Sequence, residues 1–211
     1  MTAEFIEQWG KKLFRIKALI SFGSVEAGDL GGYVEKEDNL AQDGDAWVYG
    51  NARVYGNARV CDDAWVYGNA WVYGNARVCD DAWVYGNARV CDDARVCGDA
   101  WVCDDARVCG DAWVCDDARV CGDAWVYGNA DYLLIGRIGS RFSFTTFFKN
   151  KDKGITVSCG CFLGTIAEFR AKVTDTHGNN KHAKMYNLAA DMAELQILGE
   201  EHFDKLNTNK S

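Results

Sequence analysis

From Ala46 to Asn129 the chain repeats one six-residue unit, Ala-(Trp/Arg)-Val-(Tyr/Cys)-(Gly/Asp)-(Asn/Asp), fourteen times without an insertion. Every unit places Ala first (Ala46, Ala52, Ala58 and on to Ala124) and Val two positions later (Val48, Val54, Val60 to Val126). An α-helix needs apolar residues at a period of 3.6, and a spacing of six does not hold one helical face. Gly-Asn, Gly-Asp or Asp-Asp at the end of each unit marks a turn instead. Glycine tolerates positive φ, and Asn and Asp tolerate it better than most residues. Between turns, (Trp/Arg)-Val-(Tyr/Cys) reads as a short strand in which Val points inward and its two neighbours outward.

A coil built of such units has two sides or three, depending on whether units stack at 12 or 18 residues. At 18, one face carries Trp47, Trp65, Trp83, Trp101 and Arg119 beside Tyr49, Tyr67, Tyr85, Cys103 and Cys121. A second stacks Cys61, Cys79, Cys97 and Cys115 beside Arg59, Arg77, Arg95 and Trp113, and the third is mixed (Arg53, Trp71, Arg89, Arg107, Trp125). At 12 the first half of the array mixes Tyr with Cys and Trp with Arg, although the second half repeats cleanly. The purer columns at 18 predict three sides.

The Val-x-x-x-Ala-x spacing resembles the hexapeptide repeat of left-handed β-helix proteins, with Tyr or Cys directly after Val as a departure. Leu13-Phe14-Arg15-Ile16-Lys17-Ala18, Gly28-Asp29-Leu30-Gly31-Gly32-Tyr33-Val34 and Asn39-Leu40 resemble the lead-in of a group of phage and prophage repeat proteins. Ser158-Cys159-Gly160-Cys161-Phe162-Leu163-Gly164, followed by Glu168-Phe169, is similar to a carboxy-terminal domain of the same group. The resemblance implies a phage or prophage gene and a three-sided left-handed parallel β-helix; it implies no reaction.

Composition breaks at both borders of the array: all ten Phe lie outside residues 46–129, and seven of eight Trp lie inside. Stacked coils leave open backbone edges at their ends, so covering elements are expected. Residues 1–45 read as that cap. It comprises a short helix over 1–10 carrying Phe5, Ile6 and Trp9, then a strand over 12–20 with Phe14, Ile16, Ala18 and Ile20 on one side. Leu40–Asp45 reads as a degenerate first unit. The β-helix occupies 46–131. Residues 132–211 read as a small α+β domain, with strands at 132–135, 141–148 and 154–157 and helices near 164–174 and 182–197.

The formal net charge of −8 opposes general affinity for nucleic acid or anionic membranes, which need clustered Lys and Arg. No apolar run has membrane-spanning length, and Met1-Thr2-Ala3-Glu4-Phe5 lacks the layout of a secretory signal, so the expected location is the cytoplasm. There the eight repeat cysteines are expected to remain thiols, although the coil spacing is short enough for pairing.

Several chemistries can be weighed. A hexapeptide acyltransferase needs a general base, and the fourteen units hold no His; His177, His182 and His202 all follow the array. Cys159-Gly160-Cys161 has the wrong spacing for a zinc pair and reads as a tight strand-to-helix turn with buried thiols, Cys161 lying just before a helix. The turn acids Asp62-Asp63, Asp80-Asp81, Asp99 and Asp116-Asp117 form a column that a cation would suit, but Asp is also a good turn former. No catalytic residue, metal site or cofactor is expected. The outward aromatics stand above this background. Trp47, Trp65, Trp83 and Trp101 beside Tyr49, Tyr67 and Tyr85 predict a flat apolar patch of the composition found at interface hot spots. The expected function is non-enzymatic: a rigid rod presenting a repetitive surface to a host or phage protein, or to a second copy of itself. The alternatives are the acyltransferase and a carbohydrate binder that stacks sugar rings on the Trp ladder.

Overall fold

The computed structural model describes residues 1–203; the last part of the expected carboxy-terminal domain, 204–211, lies outside the described residues. Fourteen two-residue strands, β4 to β17, run from Trp47–Val48 to Trp125–Val126 at six-residue intervals. Each pairs in parallel with the strand 18 residues away: Trp47 with Trp65, Trp83 with Trp101, Arg59 with Arg77, Arg53 with Trp71. The register yields three parallel sheets and therefore a three-sided solenoid. Every Val from Val48 to Val126 is fully buried, and the repeat Ala residues lie at or near zero exposure. The backbone closes the coils with regular bonds: the amide of Trp83 donates to the carbonyl of Ala100, and that of Tyr85 to Val102.

The turns explain the Gly/Asp choice at the fifth position. Gly74 sits at φ +74° and Asp92, one coil on, at φ +58°. Three of the Asp in this conformation also have a second task. The Oδ2 atoms of Asp80, Asp92 and Asp104 accept from the amides of Gly98, Gly110 and Gly122 in the next coil, at 3.1, 3.2 and 3.1 Å. At the sixth position the side-chain amide of Asn57 donates to Asn75, and Asn75 donates to Asp93, at 3.1 and 3.0 Å. Asp80, Asp92, Asp93 and Asp104 are thus bonded between coils rather than simply aligned along an edge.

The amino-terminal end differs from expectation. Residues 1–10 contain no helix: β1 (Phe5–Gln8) forms an antiparallel hairpin with β2 (Lys11–Lys17). Its two-residue turn, Trp9-Gly10, has φ of +47° and +74°, as right-handed strand twist favours in tight hairpins. Strand β2 ends before Ile20, which is exposed, and its register shifts between Arg15 and Lys17, so no single apolar side runs through 12–20. β3 (Leu30–Val34) pairs antiparallel with β2 and parallel with the solenoid strand at Arg53, extending one face into an eight-stranded sheet. Val34 pairs with Val54 and Leu40 bridges Val60, each 20 residues apart rather than 18. Val34 and Leu40 therefore take Val places, and the solenoid register starts inside the expected cap. Two extra residues are absorbed before Trp47.

The other end is plugged. β18 (Tyr132–Ile138), β19 (Ser143–Lys149), β20 (Ile155–Cys159) and β21 (Phe162–Thr165) form an antiparallel meander. Alternation along β19 sends Phe148 into the solenoid core and Phe147 to the opposite face. There Phe147 packs with Val157, Phe169 and Tyr186 under α1 (Ile166–His177) and α2 (Lys181–Leu198). Thr165 caps α1 with Glu168 in a reciprocal box. No helix among the described residues is long and apolar enough to cross a membrane.

Candidate functional site: the aromatic face

The aromatic columns fall on one sheet, as their spacing requires. Tyr49, Tyr67 and Tyr85 stack with ring centroids 4.9 Å apart at each step. Trp83 stacks on Trp101 at 5.6 Å, and Tyr67 meets Trp83 edge-on at 6.1 Å. Each such pair contributes about 0.5–1.5 kcal/mol beyond its buried area, so the ladder stiffens the scaffold whatever else it does. Burial pushes the Tyr67 hydroxyl up to about 12, helped by the flanking tyrosines, and raises Tyr49 and Tyr85 as well. All three remain neutral at physiological pH.

The seven residues are not equally available. Trp47 is buried, its ring met edge-on by Phe22 at 5.5 Å, and the segment around Ser24, Val25 and Leu30 borders Tyr49 and Trp65. At the other end the Arg119 guanidinium lies 4.6 Å from the Trp101 ring, and the Arg119 amide donates to Thr146 Oγ1 of the carboxy-terminal sheet. Trp83 is 39% exposed and Trp47 only 6%. The open surface is therefore the middle of the face: exposed Trp83, with half-buried Trp65, Tyr67 and Tyr85 beside it. Where Trp101 meets the carboxy-terminal sheet, Asp99, Asp117, Arg119, Ser143 and Ser158 line a cleft of about 470 Å³.

Sequence reasoning missed the covering residues. Phe22 left no signal, because its contact with Trp47 joins positions 25 apart. Trp9, read as part of a helix, lies edge-on to Trp71 at 5.1 Å and Tyr55 at 6.0 Å on another face. The aromatics of the first coils thus serve the cap.

The cysteines divide by face. Cys91–Cys109 and Cys103–Cys121 are disulfides joining successive coils, each with a Cα–Cα distance of 4.6 Å. This corrects the expectation of thiols throughout; β-ladder spacing holds these pairs within bridging range. Cys61, Cys79, Cys97 and Cys115 are free. The Cys159-Gly160-Cys161 segment is also corrected. It turns strand β20 into strand β21, Cys159 pairing with Phe162, so Cys161 is an exposed hairpin residue rather than the start of a helix. Among the described residues, no cluster with metal-ligand spacing includes Cys159, Cys161 or a histidine. His177 and His182 lie 5.8 Å apart beside Tyr186.

Comparison with curated proteins finds no match. A family model described as the YdcK beta solenoid repeat matches residues 46–62, 58–74, 70–86 and 88–104, so the part of the solenoid that carries the aromatic face is similar to that repeat.

Proposed function

We propose that this chain is a non-enzymatic binding scaffold whose recognition surface is the open middle of the aromatic face. One observation carries the reading: the chain's own elements cover both ends of that face, at Trp47 and at Trp101, while Trp83 between them remains 39% exposed. Trp and Tyr anchor interfaces because they bury large, rigid area at small entropic cost. The partner is a protein, of host or phage origin on the resemblance of the lead-in, or a second copy of the chain, met in the cytoplasm. The six-residue Val and Ala spacing supports left-handed winding for the rod that presents the surface.

Trp83→Ser tests this. Truncating an anchor at an interface centre costs about 2 kcal/mol or more, roughly a thirtyfold loss of affinity. The expected result is loss of self-association in sedimentation, or of a partner captured from the native host, with far-ultraviolet dichroism unchanged. A lower melting temperature with oligomeric state and captured proteins unchanged would reduce the face to a stabilising ladder. A carbohydrate reading is favoured by the cleft at Trp101, where an aromatic ring stands among carboxylates and hydroxyls. Glycan binding lost in Trp101→Ala but kept in Trp83→Ser would select it.

A further inference from the structure

A second face carries chemistry independent of that reading. Cys61, Cys79, Cys97 and Cys115 stand one per coil on the sheet whose other outward column is Arg59, Arg77, Arg95 and Trp113. All four are free and half-buried. The sulfurs of Cys61 and Cys79, with a carboxylate oxygen of Asp62, lie within 4.8 Å of one another; so do Cys79, Asp80 and Cys97. The neighbouring faces place similar triplets around Cys91–Cys109 and Cys103–Cys121, but those sulfurs are bonded to each other. Only this column among the described residues presents successive free thiols.

We propose that the Cys61–Cys79–Cys97 ladder binds soft monovalent d10 metal ions, Cu(I) or Ag(I), each held in line between thiolates of successive coils. At the roughly 2.3 Å typical of a zinc–thiolate bond, an ion in line between two sulfurs needs them about 4.6 Å apart, and the paired sulfurs here lie within 4.8 Å of each other. Tetrahedral zinc needs four donors, and each gap here offers two thiols and one carboxylate. Thiolate ligands also select soft ions.

Charge and setting agree with this assignment. Two thiols and one monovalent cation give a bis-thiolate complex of charge −1 and release two protons to solvent; no electron is transferred. Arg77 projects from the same side of the strand two residues before Cys79, where its charge offsets that of the complex. Asp80 is anchored by the Gly98 amide at 3.1 Å. The indole of Trp113 donates to the Cys97 sulfur at 3.0 Å, which fixes the position of that sulfur.

The test uses the full chain with its two disulfides intact, verified by peptide mapping, titrated anaerobically with Cu(I) against bathocuproine disulfonate. Wild type should withdraw copper from the chelator and show a sulfur-only, low-coordinate shell by X-ray absorption. Cys79→Ser breaks both gaps and should weaken withdrawal by more than the roughly hundredfold typical of outer-shell losses. Cys161→Ser should change nothing. Equal withdrawal by wild type and Cys79→Ser, or zinc bound as tightly as Cu(I), would overturn the proposal. So would recovery of a Cys61–Cys79 or Cys79–Cys97 disulfide from the native protein, which would make the face a third bridged column. A matching thermal melt for Cys79→Ser separates loss of ligand from loss of fold.

Discussion

Replacing Asp92 tests whether the turn acids serve the fold or a ligand. Its backbone is left-handed at φ +58°, and its Oδ2 accepts from the Gly110 amide one coil on at 3.2 Å. Three substitutions take these properties apart. Asn tolerates the left-handed region and keeps an acceptor oxygen while removing the charge, so Asp92→Asn should cost under about 0.5 kcal/mol. Gly relieves the backbone but removes the acceptor; an exposed bond of this kind contributes about 1 kcal/mol. Ala loses that bond and adds about 1–2 kcal/mol for holding a Cβ at positive φ, giving about 2–3 kcal/mol. A chain of this size loses about 2–4 °C of melting temperature per kcal/mol. The expected shifts are therefore within about 2 °C for Asn, about 2–4 °C for Gly and roughly 4–12 °C for Ala. Thermal melts with excess calcium and with chelator complete the series. If Asp92→Asn is as damaging as Asp92→Ala, or if calcium raises the wild-type melt and Asn abolishes the effect, the carboxylates hold a cation and the turn argument fails.

Two further predictions follow from the ends and the outer columns. Arg170 bridges Asp191 at 2.7 Å and Glu194 at 2.8 Å, and Glu194 is buried; Arg170→Ala should cost about 2–3 kcal/mol by stranding that carboxylate. Hydrogen exchange of α2 should accelerate, and Arg170→Met combined with Glu194→Leu should recover most of the loss; a double variant no better than the single would refute the pairing. Separately, burial holds Cys61 at about 11 and Cys79 and Tyr67 at about 12, all above their ordinary values. Their protonated forms favour the folded state fully below about pH 9, and that contribution is lost as pH rises towards 12. Denaturant midpoints should fall between pH 9 and 11, less steeply in Cys61→Ser, and a flat profile would count against the burial.

The repeat was legible because its period of six matches a physical repeat of the backbone. Eighteen residues close a three-sided coil, so each outward side chain meets its counterpart through the sequence spacing alone. The ends have no such relation. Phe5, Ile6 and Trp9 satisfy a helical spacing, yet Trp9 occupies the left-handed turn of a hairpin, where an aromatic residue leaves no sequence signal. Val34 and Leu40 stand six apart and could have been read as Val places, but the two extra residues before Trp47 break the register that would have revealed them. In the carboxy-terminal domain the helices followed from their patterns, while β21 was hidden because four residues beside a Gly-Cys turn resemble a loop.

The candidate sites were legible to the same extent. The inner Val and Ala columns are nearly invariant, and they already satisfy the core, so the outer columns can vary without altering the coil. Each face has consequently acquired its own chemistry: aromatic rings ending in a disulfide, thiols beside arginines, and a mixed column with a second disulfide. Column membership could be read from the spacing; availability could not, because it depends on where the terminal elements fold back. Phe22 covers Trp47, Trp9 lies against Trp71, and Arg119 lies over Trp101. These contacts take up the ends of the array for capping. Any ligand of the aromatic face must therefore be read by its middle coils, where the exposed ring of Trp83 stacks on Trp101 and is met edge-on by Tyr67.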